Sequence, residues 1–167
     1  ALMPDMATTL LALAEVGRAN TGVTLDFAHM LFAGEMPAKA AMLAARSSRI
    51  LGLHLNDGYG KRDDGLMVGT VHPVQTLELL VALNRIGYGG IIYFDTFPDH
   101  SGLNPVEEAR ANIRLTDRLI DLAAQLAVAP VIFQFAERRD FDRIGFERPV
   151  DHVEMMRRFV HPQRAGT

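Results

Sequence analysis

Apolar and polar positions change their period several times along the chain. In the first twenty residues Leu10, Leu11, Leu13, Ala14 and Val16 form a helical stripe, and Gly17 is placed to end it. "TGVTLDF" follows as a short β-branched run after a glycine, closing on the polar Asp26. Pro37 to Ala45 is alanine-rich with helical spacing, and Pro37 suits a first helical turn. "RILGLHL" reads as a second buried strand that turns polar at His54. In "HPVQTLELLVALNRIG" Pro73 opens a helix, Leu77, Leu80, Val81 and Leu83 make its inner face, and Gly87 stops it. "GGIIYFDTFP" is a third strand ending at Asp95. Asn104-Pro105 then leads into a long helix, "PVEEARANIRLTDRLIDLAAQLA", with acids at the end where the helix dipole favours them.

The predicted order is α-β-α-β-α-β-α, with strands of about six residues and helices of ten or more. Such alternation needs parallel strands joined by crossover helices, and continuous apolar strands fit a sheet covered by helices. The fold class is α/β. Residues 1–130 form one domain on this reading, and residues 131–167 are an extension. From Val131 aromatic and charged residues mix, arginine dominates the cations, and a short helix is expected around 153–159. That extension is the expected oligomer contact.

Bulk properties narrow the function. The chain has 167 residues, formal charge −3 and pI near 6.1, so no basic excess is present to hold nucleic acid. It has no cysteine, which removes thiol chemistry and fits a reducing cytoplasm. No window reaches the roughly 18 apolar residues of a membrane span, and no signal peptide is visible. The chain starts Ala1-Leu2-Met3, which fits a processed start or a piece of a longer protein.

The candidate chemistry lies at the strand ends. Asp26, His54 and Asp95 each terminate a predicted strand, and in parallel α/β folds sites form where those carboxyl ends converge. Two carboxylates and an imidazole make a plausible shell for a divalent ion. Oxygen-rich donors without thiolate favour Mn²⁺, with Mg²⁺, Co²⁺ or Zn²⁺ as alternatives. His29, three residues after Asp26, falls on the same side, in a loop or first helical turn. Asp63 and Asp64 sit on the loop after the second strand, within reach of the same point. Each residue also has a plainer role: Asp26 as a helix cap, His54 as a core histidine, Asp63-Asp64-Gly65 and Asn56-Asp57-Gly58 as turns. What favours the site is that three successive strand ends all carry ligand-capable groups. Glu35 reads as a solvated loop acid that could reach a substrate, and His72 as a surface residue near the pocket.

"LDFAH", "LHLND" with "DDGLMVGTVHP", and "IIYFDTFP" together resemble the last three βα units of xylose isomerase-like TIM barrels. Within that superfamily the chain is most similar to the bacterial L-rhamnose isomerase branch. The resemblance covers roughly Gly22 to Ala127 and implies the C-terminal part of an eight-stranded barrel plus a tail. It implies that Asp26 bridges two metal positions, that His54 and Asp95 ligate the first, and that His29 and Asp63 serve the second, catalytic one. It places Asn56 and Asp57 at the substrate, and His29, Asp63 and Asp64 in proton handling. The acid pair of the family, Asp-x-Asp-Leu, puts its first acid on Asp63 and its second on Gly65, with Asp64 as the neighbouring carboxylate. The family's earlier metal-binding glutamate would lie before Ala1.

The resemblance implies metal-dependent aldose–ketose interconversion of a sugar, cytoplasmic, by a homo-oligomer or by assembly with the rest of a barrel. One alternative is a sugar 3-epimerase of the same superfamily. That enzyme needs a glutamate at the last strand end, where this chain has Asp95. Another is a degenerate barrel piece acting as a binding or assembly module.

Overall fold

A computed structural model of the chain describes residues 3–97, 102 and 104–128. The expected tail helix and oligomer contact lie outside these residues. The elements are α1 (Met6–Val16), β1 (Val23–Asp26), α2 (Phe27–Phe32), α3 (Pro37–Ser47), β2 (Ile50–Leu55), α4 (Pro73–Arg85), β3 (Ile92–Phe94) and α5 (Pro105–Val128). All belong to the unit Ala1–Ala129.

Local chemistry accounts for most boundaries. Asp5 caps α1 by accepting from the Thr8 amide at 2.7 Å. Gly17 closes that helix at φ +59°, a conformation that costs other residues more. Pro37 and Pro73 stand in the first turns of α3 and α4, where a missing N–H costs no helical bond. Gly87, at φ +67°, follows α4 and donates its amide to Asn84.

The strands form one parallel sheet in the order β1-β2-β3. Asp26 lies opposite His54, and His54 opposite Tyr93, so the register aligns the strand ends. Asp95 falls one residue beyond the β3 pairing, and its amide still bonds the Leu55 carbonyl at 3.3 Å. Side chains alternate across a strand. Leu25, Leu53 and Leu55 accordingly point into the core, while Thr24, Asp26, His54 and Tyr93 occupy the opposite face. The core joins those leucines to Phe27, Ala40, Ala44, Leu79, Leu80 and Ala123 from the helices. Full burial of each large side chain there is worth about 1.5–3 kcal/mol.

Two features depart from the sequence reading. A short extra helix, α2, follows β1 directly, because Asp26 caps it through the His29 amide and Phe27, Ala28 and Met30 bury its inner side. The strands β1 and β3 are also shorter than expected, with four and three residues. Among the described residues no helix is long and apolar enough to cross a membrane.

Candidate metal centre

Each strand end contributes one donor to a single point. Ligand atoms of Asp26, His54 and Asp95 all lie within 4.8 Å of one another. His54 Nδ1 stands 3.2 Å from Asp95 Oδ2 and 3.4 Å from Asp26 Oδ2. Neighbouring ligands on one ion lie about 3.0 Å apart in an octahedral shell with ~2.1 Å bonds, and about 3.4 Å apart in a tetrahedral one with ~2.05 Å bonds. The observed separations match that range. Two carboxylates beside one imidazole also concentrate negative charge, which a divalent cation offsets. The donor set therefore fits a divalent ion.

The surrounding bonds orient these ligands. Asp26 Oδ1 accepts from the His29 amide at 3.1 Å and from Asn56 Nδ2 at 3.4 Å, which turns Oδ2 toward His54. The Tyr93 ring meets the imidazole of His54 edge-on, with centroids 5.7 Å apart. His29 is exposed on the first turn of α2, and its Nε2 lies 3.4 Å from Asp63 Oδ2. Asp63 Oδ1 is buried without a hydrogen-bond partner among the described residues, a state that is costly unless something else meets it.

The remaining expected residues behave differently. Asn56 and Asp57 are 0 % exposed, and their side chains serve the scaffold rather than an open pocket. Asn56 Oδ1 accepts from the Ala28 amide at 2.9 Å, tying α2 to β2. Asp57 accepts from the amides of Gly58, Val71 and His72 and from His72 Nδ1, at 2.8–2.9 Å. It thereby closes the base of a long loop, which an antiparallel bridge between Asp57 and Leu66 stiffens. Asp64 folds into the same loop, where its carboxylate accepts from the Tyr59 amide and Arg62 Nε. That contact raises the Arg62 guanidinium above its ordinary range. Glu35 is not a free loop acid: both its oxygens accept from the Met6 amide at 3.1 Å, at the start of α1.

Gly65 has a structural reason to be glycine. Its φ is +57°, and a Cβ there would lie 2.3 Å from the Phe97 ring. The Phe97 amide bonds the Gly65 carbonyl at 2.7 Å, so the loops after β2 and β3 are joined at this point. An acid could not occupy position 65 without moving that ring.

A groove of about 360 Å³ runs along β1 from Val23 to Asp26 and past His29 and Glu35. His54 and Asp95 do not line it, so it flanks the metal centre instead of enclosing it.

Sequence reasoning missed several supports: His72 beneath the loop, Phe97 against Gly65, and Glu108 and Asn112 on α5. Glu108 was expected on the dipole-favoured helix end, yet it is almost fully buried and accepts from the Thr96 hydroxyl at 2.7 Å. Its spacing from Asn112, Leu119 and Ala123 marks one helix face, which is the signal that could have revealed it.

No curated protein matches the chain. The xylose isomerase-like TIM barrel profile matches residues 5–119, which span every element from α1 to the greater part of α5. With this match over most of its length and its parallel sheet, the chain belongs to the xylose isomerase-like TIM barrel family.

Proposed function

We propose that the chain is part of a metal-dependent sugar isomerase of the L-rhamnose isomerase kind, interconverting an aldose and a ketose. The carrying observation is the convergence of Asp26, His54 and Asp95 within 4.8 Å. Family membership supports the reaction class, since the family includes sugar isomerases and epimerases. The three strands among the described residues cannot close a barrel, which needs about eight. We therefore read β1 to β3 as the last three strands of a barrel completed by further chain or by a partner.

In this reading Asp26, His54 and Asp95 hold the ion, with Mn²⁺ the first candidate among oxygen-preferring metals. A bound divalent ion supplies Lewis-acid polarisation of the sugar carbonyl and a template for adjacent oxygens. The chain does the rest. Asp26, fixed by His29 and Asn56, keeps one oxygen directed at the ion. His29 and Asp63 form a carboxylate–imidazole pair able to take up and return a sugar hydroxyl proton. Asp57 and Asn56 keep the loop and α2 in place, and Asp64 shapes the turn that presents Asp63.

One observation favours a second reading. Phe97 fills the space beside Gly65 where the family's second loop acid would project. That suits a centre with one ion, as in a 3-epimerase.

The deciding experiment uses the full-length protein, stripped with chelator and reloaded with Mn²⁺, Mg²⁺, Co²⁺ or Zn²⁺. Bound metal is counted, and aldoses and ketoses are assayed for both isomerised and 3-epimerised products. Asp26→Asn and His54→Gln should each abolish metal retention and turnover. A folded protein that holds no ion and turns over no sugar would rule out both readings. Tight binding of one ion with only 3-epimer formed would replace the first reading by the second.

A further inference from the structure

The N-terminal half of α5 carries a buried polar stripe. Glu108, Asn112 and Thr116 follow one another at intervals of four residues, with 1 %, 1 % and 3 % of their surface exposed. Residues four apart lie on one helix face. Further along the same face the buried residue is the apolar Ala123. Burying polar groups there is costly, and the cost is not fully offset. Glu108 Oε2, Asn112 Nδ2 and Thr116 Oγ1 have no hydrogen-bond partner among the described residues. A helix packed for stability alone would carry apolar side chains here. Such departures from good packing concentrate where function needs them.

The bonds that the stripe does make both reach the loops of the metal centre. Glu108 Oε1 accepts from the hydroxyl of Thr96, the residue next to Asp95. Asn112 Oδ1 accepts from the Val68 amide at 3.0 Å, in the loop that carries Asp63. These loops need outside support. β3 ends at Phe94, Asp95 lies past its last paired residue, and its side chain is 43 % exposed.

We infer that Glu108 and Asn112 are positioning residues for the metal centre. Glu108 acts through Thr96 to fix Asp95, and Asn112 acts through Val68 to fix the loop of Asp63. The inference rests on the metal reading given above. It adds that α5 sets the distance between the loop that carries the ligand Asp95 and the loop that carries Asp63.

The test measures Mn²⁺ affinity of the full-length protein by calorimetry and by the Mn²⁺ paramagnetic resonance signal, with urea unfolding in parallel. Thr96→Val and Glu108→Leu remove one side of the bond while keeping shape and volume. Each should weaken Mn²⁺ binding about 10–100-fold, as loss of an outer support does elsewhere. Thr96→Ser and Glu108→Gln keep a hydroxyl donor and an oxygen acceptor, and should restore affinity to within about threefold of the parent, well short of the loss expected when the support is removed. Turnover lost in Thr96→Val should return at saturating Mn²⁺. If Glu108→Leu fails to fold, the Thr96 pair decides. Parent-like affinity in Thr96→Val overturns the inference, as does a Thr96→Ser as weak as the valine variant. A parent protein that folds but binds no Mn²⁺ overturns the metal reading itself and this inference with it.

Discussion

Gly65 shows how one residue can set the character of a site. Its left-handed backbone and the Phe97 ring at the Cβ position both demand the absence of a side chain. Gly65→Ala should cost about 1–3 kcal/mol, from backbone strain and overpacking together. Adding Phe97→Ala should recover the packing part, so the two changes should combine to less than their sum in urea unfolding. Asp5 gives a pH-dependent counterpart. The Thr8 amide, with the Thr8 side chain, holds its carboxyl below the ordinary carboxylate range. A lowered folded-state pKa adds stability that is complete above the unfolded value and fades as acid protonates the cap. Helix content read by circular dichroism should therefore fall as the pH drops below the ordinary aspartate range of about 4. Asp5→Asn, which still caps but cannot titrate, should flatten that part of the curve.

At the scale of elements, the loops are held from below by buried polar groups. Asn56→Ala would leave the Ala28 amide without its partner, and should destabilise by about 1–3 kcal/mol. A stability loss much larger than any change in sugar KM would assign Asn56 to the scaffold. Equal binding loss with unchanged stability would return it to the substrate. This pair illustrates what was readable in advance. Strands ending at Asp26 and near His54 and Asp95 follow from apolar runs that turn polar, because chain period reports burial directly. "NDG" after β2 looks like an ordinary turn, and nothing local reveals that Asp57 reaches residues 71 and 72. The same holds for Gly65, whose reason sits on another loop, and for the bond that Glu108 makes to Thr96. Contacts between residues far apart in sequence leave little trace in a local pattern. The extra helix α2 escaped for a different reason, since six residues are too few to establish a helical period.

At the scale of the whole molecule, the three candidate ligands come from strands far apart in sequence, so the proposed ion binding requires the complete register β1-β2-β3. An ion that binds only the folded form at one hundred times its Kd should add about 2.7 kcal/mol. Melting should then rise by about 5–10 °C with Mn²⁺, and Asp95→Asn should remove most of that rise. The open sheet makes a second demand. Ile91 and Tyr93 on β3 and its approach are more than half exposed, and both outer strands have an unpaired edge among the described residues. Exposed edges invite pairing between chains. The 167-residue chain prepared by itself should associate as concentration rises, seen by light scattering, and Tyr93→Lys should reduce that association.

The clasp made by Asp57 bears on how such a protein can change. Its side chain joins the last residues before α4 to the second residue beyond β2, so the two scaffold elements are fixed independently of what lies between. The exposed pair Lys61-Arg62 on that loop carries none of this closure. Residues can be inserted or exchanged there while the strand register stays intact. A new ligand preference can thus arise by local insertion, with no redesign of the sheet beneath it.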